Sequence, residues 1–569
     1  MRDQGLGRYR MKNQDPQNLQ QHLLVFILSL GVPFILYLGR HLDNNRLTSW
    51  KWAFNGDNLS RFLVVLVALL LFAWLLSQVS FYEKGKPFVL FVTSFFMASS
   101  FWSEPEVIVD AARYFSQAKH LEIYGLSYFS KEWGKSIFAW TDLPLLPLLY
   151  GMIFKFVGEH RILIQILNTI FYSLTVVLTY QLGKTLWDEE TGFWGGVLLL
   201  GFPYLYTQVP LLLVDVPTMF FFMLAVVTCV YALKKGGVGY IAVASFSLFL
   251  VFFVKYSSWV LLTVIPVVYA YFLFQNPLQT VRRGGVLALL SLFFIGIVFV
   301  MYKDIFMDQI NFLVEYQKPG LNRWSESYVS TFLFQVHPFI SAAALLSFLV
   351  AARKMDFRFI IICFLLLLFL FMQVKRIRYT LPIFPMFALM ASYGIGVIQN
   401  KTIKKHIVFS VVATSFAVAF MGFMPLLKSL GVQNLQEAGR YLNTLSVERV
   451  EVVSFAGENA VVNPDLVVPV LDIYTDKKLF YKKKQTNPQI LERAQASPLR
   501  FTWEFPMPEY YSMENEPKTV DGLVIIADTQ SQSLPESIGN KISLYPVRKT
   551  FQQSSNIFQH QTFITVYHK

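Results

Sequence analysis

Residues 87–115 read PFVLFVTSFFMASSFWSEPEVIVDAARYF. From Pro87 to Ser103 no residue is charged, and then Glu104, Glu106, Asp110 and Arg113 arrive within ten positions. The first half is an apolar run of bilayer length. The second half places three acids and an arginine where such a segment leaves the hydrocarbon. A helix that crosses a membrane and ends in a carboxylate cluster sets both the fold class and the question of what the cluster does.

Composition extends the reading to the whole chain. Of 569 residues, 54% are hydrophobic, 17% aromatic and only 15% charged, against about 25% charged in a soluble domain. The pattern predicts a polytopic α-helical membrane protein with spans near 22–39, 61–81, 87–103, 162–182, 192–207, 211–233, 238–254, 257–274, 286–302, 331–352, 357–374, 379–397 and 405–425, thirteen in all. The apolar run Leu23–Leu38 has no small-residue cleavage pattern and reads as a retained first helix. The net charge of +13 reflects basic loops rather than nucleic-acid binding. Cys229 and Cys363 both lie inside apolar runs, which excludes a disulfide framework and a Cys/His zinc motif.

Basic residues orient the chain. The N-terminal tail carries four Lys/Arg, and alternate short loops carry Lys84, Lys86, Lys184, Lys234, Lys235, Arg282, Arg283, Arg353, Lys354, Lys401 and Lys404. The expectation is a cytoplasmic N-terminus and, with thirteen spans, an extracytoplasmic C-terminal segment. The outer side then holds 40–60, 104–161, 303–330 and 426–569. Within 104–161, DLPLLPLLYGMIFKFV (142–157) is apolar but short and broken by prolines, the pattern of a re-entrant or interfacial helix. Beyond 426, VERVEVVSF, DGLVIIADT and TFITVYH read as strands and NLQEAGRYLNTL as a helix, predicting an α/β domain. The organisation is 1–86 tail and extra hairpin, 87–425 transmembrane core, 426–569 outer domain.

Ionisable residues beside spans are costly and are functional candidates. Asp215 is the only charge from Thr191 to Leu233; its structural alternative is a helix N-terminal partner. Lys255 is the only charge from Gly236 to Val281, with snorkelling as its alternative. Lys375, Arg376 and Arg378 are the only charges from Phe359 to Asn400; they fall on the outer side, where an anion should hold them. Arginine's planar fork suits phosphate, and a lipid headgroup or a salt bridge is the alternative. In a helix over 104–115, Glu106, Asp110 and Arg113 would pair along an exposed face. Glu104 lacks a local partner and is the acid nearest the span, its alternative being a solvated carboxylate at a helix start. All four sites fall on one side of the membrane. Acids with phosphate-type cations at one interface suggest an anionic lipid donor and acid/base chemistry.

In this order the motifs resemble the GT-C membrane glycosyltransferases, in particular the branch of protein O-mannosyltransferases and lipid A aminoarabinose transferases. That branch opens its first outer loop with an Asp-Glu pair, then a Tyr and an Ala-Arg; SEPEVIVDAAR sets Glu104 at the Asp, Pro105 at the Glu and Ala112-Arg113 at the end. TDLPLLPLLYGMIFKFVGE (141–159) stands for its proline-rich helix along the membrane. Arg161, the GKTLW turn (183–187), Asp215 in LLVDVP, Lys255 in VKYSS and Arg378-Tyr379-Thr380-Leu381-Pro382 follow in register. The resemblance covers about 87–425, and the hairpin at 22–81 is additional to it.

The resemblance implies transfer of a sugar from a polyprenyl-phosphate donor to a protein, glycan or glycolipid hydroxyl on the outer face of a plasma (inner) membrane, with inversion. It implies Glu104 as base, Glu106 in reserve, Asp215 as a further acid, and Lys255, Arg376, Arg378 and Tyr379 on the donor phosphate. No cofactor is expected, with a divalent metal ion shared by Glu104 and Asp215 as the alternative. Loop 303–330 is expected to close over substrate, with a fixed loop as the alternative, and His337 to be structural or to reach the site. A lipid-linked sugar flippase would need similar cations, but the sequence lacks the internal repeat such transporters commonly show. A non-catalytic scaffold would not need Asp215, Lys255 and the arginines.

Overall fold

The computed structural model describes residues 16–43, 49–54, 59–79, 85–140, 142–317, 330–372, 377–430, 432–455, 462–481, 492, 500–512, 520–527, 536–552 and 562–569. Helix stands at each of the thirteen hydropathy segments. Seven of these helices are long and apolar enough to cross a membrane: Gln17–Leu42, Leu59–Gln78, Arg161–Leu186, Asp215–Lys235, Ser258–Gln275, Pro277–Met301 and Lys401–Leu430. The others are shorter or broken. Glu189–Leu199 stops before Pro203, where Pro203–Gln208 restarts it, as expected where proline removes a backbone donor.

Arg161–Leu186 is the hub. It packs against Lys86–Ser99, Glu189–Leu199 and Asp215–Lys235. Its turn into Glu189–Leu199 is tight: a Cβ on Gly183 would lie 2.6 Å from Gly192 Cα, so the two backbones touch. The N-terminal hairpin packs on Lys401–Ala417, away from the hub.

Between Lys86–Ser99 and Arg161–Leu186 lie two helices that are not spans. Ile108–Glu132 is kinked at Gly125, whose φ of +84° suits glycine. Leu145–Val157 is the short apolar helix expected at 142–157. The two pack face to face: a Cβ on Gly151 would lie 2.7 Å from the Ala118 carbonyl oxygen. The expected helix over 104–115 does not begin until Ile108. Residues before a proline are disfavoured in helix, and Pro105 holds Glu104 and its neighbours in an extended turn. The face carrying Arg113, Ser116, Gln117 and His120 is buried, not exposed.

The C-terminal part forms a five-stranded sheet: β1 (Arg449–Phe455), β2 (Lys478–Tyr481), β3 (Gly522–Ala527), β4 (Val547–Gln552) and β5 (Phe563–His568). The order is β2-β1-β3-β5-β4, with β1 parallel to β2 and β3 and the remaining pairs antiparallel. β3 is buried along its whole length, as a central strand should be. This part seats on Ile108–Glu132 through a buried charge cluster: Lys119 Nζ lies 2.6 Å from Asp472 and 2.9 Å from Glu159, and Tyr511 OH donates to Asp472 at 2.5 Å.

Candidate active site

The site is set by what Arg161 does at the start of its helix. Its Nε donates to Glu106 Oε1 at 2.7 Å, and its Nη2 donates to the carbonyl of Glu104 at 2.6 Å. Gln165, one turn on, donates to the carbonyls of Trp102 (2.9 Å) and Pro210 (3.2 Å). Asn168 donates to the carbonyl of Leu211 at 2.8 Å. Residues 161, 165 and 168 share one helix face, so a single stripe ties two irregular segments, 102–106 and 210–212. Glu106 Oε2 closes the frame by accepting from Leu212 N–H at 2.9 Å. Each tied segment runs directly into a helix bearing an acid near its first turn: Asp110 in Ile108–Glu132 and Asp215 in Asp215–Lys235. Carboxylates are favourable there, beside the helix's free N–H groups.

Those two acids meet on Arg378. Its Nη1 donates to Asp110 Oδ2 at 2.5 Å, and its Nε and Nη2 donate to Asp215 Oδ2 at 3.0 and 2.5 Å. Lys255 Nζ donates to the other Asp215 oxygen at 2.7 Å. On the far side, Asp110 Oδ1 lies 3.3 Å from Arg113, which pairs with Asp142 at 2.6 Å. The result is an unbroken alternating chain, Lys255–Asp215–Arg378–Asp110–Arg113–Asp142. Asp142 also accepts from Gln117 at 3.1 Å and Tyr114 at 3.2 Å. The side chains of Asp215 and Asp142 are 1% and 5% exposed, whereas that of Asp110 is 21% exposed, so Asp110 is the most accessible acid of the chain.

The structure thus sorts the expected residues into two groups. Asp215, Lys255 and Arg378 are brought together, and Tyr379 lies beside them, its ring centroid 5.3 Å from Lys255 Nζ. Glu104 and Glu106 gather around Arg161 instead, and among the described residues no ion pair joins this group to Arg378 or Lys255. The expected surface pairing of Glu106 with Asp110 and Arg113 is corrected: Asp110 and Arg113 do pair, but Glu106 lies before the helix, buried, on Arg161. Burial first, and Glu106 second, push the Glu104 carboxyl well above its ordinary range, opposed by Arg161 and Lys428; its Oε2 has no hydrogen-bond partner.

Arg376 lies outside the described residues, as does 318–329 of the expected lid; 303–317 is helical. His337 caps its helix, Nδ1 accepting from Phe339 N–H at 3.1 Å, the structural role. Among the described residues no group of three or more His, Cys, Asp or Glu side chains could hold a metal ion.

Asp110 and Asp142 are the residues that sequence reasoning passed over. A signal for Asp110 was present. The expected order of an acid, a Tyr and an Ala-basic pair recurs six residues beyond Glu104, as Asp110, Tyr114 and Ala118-Lys119. Asp142 had no comparable signal.

No family model matches the sequence, and no curated protein does. Solved structures do. ArnT from Cupriavidus metallidurans in the apo state aligns with a TM-score of 0.50 at 10% identity, over 90% of this chain and 98% of that one. The same protein bound to undecaprenyl phosphate gives 0.49 at 11% identity, over 90% and 98%. The archaeal oligosaccharyltransferase AglB from Archaeoglobus fulgidus, in complex with an inhibitory peptide and a dolichol-phosphate, gives 0.47 at 10% identity, over 78% of this chain and 70% of that one. At such identity the alignment with apo ArnT establishes a shared fold, and this chain has the GT-C fold of the membrane glycosyltransferases.

Proposed function

We propose that this protein is an inverting glycosyltransferase that moves a sugar from a polyprenyl-phosphate donor to an acceptor hydroxyl at the outer face of the membrane. The observation that carries the reading is the fork of Arg378 between an open and a closed carboxylate, with Lys255 on the closed one. A phosphate leaving group needs cations already in place. Arg378 and Lys255 supply them, Asp215 holds both in position, and Arg376 and Tyr379 stand beside Arg378 in sequence to extend the site.

In the transfer, the acceptor oxygen attacks the anomeric carbon on the face opposite the phosphate. The C–O bond to phosphate breaks and its electron pair leaves with the phosphate. The acceptor's proton passes to a carboxylate. Asp110 suits that role by exposure and by contact with the donor cation. Glu104, the base expected from the sequence, would lie buried around Arg161, apart from the donor cations. Glu106 would be a strut.

The reading is tested with purified protein in lipid nanodiscs, radiolabelled polyprenyl-phosphate sugars and a membrane extract as acceptor. Asp110→Asn is expected to lower transfer by about 10²–10⁴-fold, the range for removing a general base, with carrier binding retained. Glu104→Gln is expected to keep at least half of it. Loss in Glu104→Gln with survival in Asp110→Asn would return the base to Glu104. Carrier binding without transfer by the parent protein would favour the flippase reading.

A further inference from the structure

A cavity of about 410 Å³ lies where Ile108–Glu132 meets residues 504–509. It is within the range of about 300–1,000 Å³ typical of small-ligand sites. On the helix side it is lined by Arg113, Gln117, His120, Tyr124 and Tyr128, and Met507 stands in the opposite wall. One end reaches the charge chain, because Arg113 belongs to both.

We infer that this cavity binds the carbohydrate of a glycan acceptor, with its hydroxyl end directed past Arg113 toward Asp110. The inference rests on the proposed transferase reading and names its acceptor class.

Three features point to sugar. The first is Gln117, which is buried. Its amide nitrogen donates to the Phe138 carbonyl (3.1 Å) and to Asp142 (3.1 Å), which fixes the orientation of the amide. Its Oε1 is left without a partner. A buried acceptor with no donor costs about 1–3 kcal/mol; the oxygen is covered by its neighbours, and a ligand hydroxyl that reached it on seating would remove that cost.

The second is the aromatic wall. Tyr124 and Tyr128 lie 4.6 Å apart, on either side of the Gly125 kink, and the His120 ring is parallel to Tyr128 at 6.5 Å. Burial holds His120 below its ordinary range, so its ring is neutral at physiological pH. Neutral aromatic faces beside hydroxyl-bonding groups suit the C–H faces of a pyranose. Tyr124 is 42% exposed, so part of the wall is solvated until it is covered.

The third is the backbone. Among the described residues the lining comes from a helix, a turn at 135–138 and a 504–509 loop, and none of them is an edge strand. An extended peptide commonly docks by adding to such an edge, which makes a polypeptide acceptor the weaker fit.

The test uses the full chain in nanodiscs and two variants from opposite walls, Tyr124→Ala and Met507→Trp, the second of which fills the cavity. Saturation-transfer NMR with maltotriose, chitotriose and mannotriose reports binding without activity. Label transfer, measured against acceptor extract concentration, reports function. The expected result is saturation transfer from at least one trisaccharide to the parent, lost in Met507→Trp. In both variants the half-saturating acceptor concentration should rise tenfold or more, with undecaprenyl-phosphate binding unchanged. No trisaccharide bound by the parent, half-saturation unchanged within twofold, or label recovered on protease-sensitive product would each overturn the inference. If the parent transfers no label yet binds a trisaccharide that Met507→Trp does not, the transferase reading fails while the carbohydrate site stands.

Discussion

Glu106 separates a structural account of the first outer loop from a catalytic one. Its carboxylate is buried against Arg161 at 2.7 Å, and removing one partner of such a pair typically costs about 3–5 kcal/mol, because a charge is left uncompensated. Glu106→Gln keeps an oxygen for the Leu212 N–H, so its cost should fall at the lower end, about 3 kcal/mol. Arg161→Gln should cost more. It also strips the donors that serve the carbonyls of Glu104, Trp102 and Pro210, at about 1 kcal/mol each. The double variant removes both charges and leaves mainly the carbonyl losses, so the two single costs should exceed the double by at least about 3 kcal/mol, the upper end for residues in contact.

The assay is a double-mutant cycle on unfolding in mixed micelles, followed by tryptophan fluorescence. It carries a pH signature. Burial raises Glu106 above its ordinary range, and Arg161 and the Leu212 N–H oppose that rise. In Arg161→Gln the main opposing group is gone. A carboxyl with a raised folded value contributes stability below the unfolded value of about 4.3 and loses it as pH climbs through the folded value. Arg161→Gln should therefore be more damaging at pH 8 than at pH 5, while Glu106→Gln should show no such slope. A coupling under about 1 kcal/mol, the worth of a solvated pair, would refute the strut argument. So would a Glu106→Gln that folds as the parent does yet transfers nothing.

Arg378→Lys keeps the charge but cannot bridge Asp110 and Asp215 with a planar fork; losing one charge-assisted hydrogen bond, about 1.5–3 kcal/mol, should weaken undecaprenyl-phosphate binding by roughly 10–100-fold in a nanodisc titration. Burial and Asp472 push the Glu159 carboxyl up to about 9, so the stability it gives to the seating of the C-terminal part should be lost as pH rises from about 4.3 through 9; hydrogen-exchange protection in Val467–Asp472, corrected for the intrinsic rise of exchange with pH, should fall over that interval in the parent and not in Glu159→Gln. Gly151→Ala places a Cβ 2.7 Å from the Ala118 carbonyl oxygen and should cost about 1–3 kcal/mol by overpacking, read as a lower thermal midpoint. Gly39→Ala, with open space around it, should leave the midpoint within a degree.

The residues that were legible in the sequence share one property: isolation. Asp215 and Lys255 stand alone, and Arg378 only with Lys375 and Arg376, in long stretches without a charge of opposite sign, so their partners had to be distant in sequence. The structure joins Arg378 to Asp215 across 163 positions and Lys255 to Asp215 across 40. Asp110 was hidden by the opposite circumstance. Arg113 stood three residues away and offered a local partner, and that contact forms without exhausting the carboxylate, whose second oxygen reaches Arg378 268 positions on. Glu106 was misplaced because helical spacing was extended back over Pro105, and its true partner lies 55 residues away. The helices at the hydropathy segments were readable because each run is apolar on every side. The buried face of Ile108–Glu132 was not, because the segments that cover it, at 467–472 and 504–511, belong to the far end of the chain.

Charge balance gives the chain of ion pairs its functional sense. Three cations and three carboxylates alternate from Lys255 to Asp142, so without donor the array is neutral and every formal charge in it has a partner. A phosphate brought to Arg378 adds a negative charge, and one carboxylate must give way. Asp215 is held by both Arg378 and Lys255 and is closed to solvent; Asp142 is held by Arg113, Gln117 and Tyr114. Asp110 is the member with solvent at hand. On the proposed function, the guanidinium would exchange Asp110 for phosphate while keeping Asp215, and the released carboxylate would face the acceptor with only Arg113 beside it. The base would then be masked until the donor is seated, and the same arginine would both bind the leaving group and unmask the base. This exchange requires two acids of unequal exposure on one guanidinium, which Asp110 and Asp215 provide and the doubly buried Glu104 and Glu106 do not.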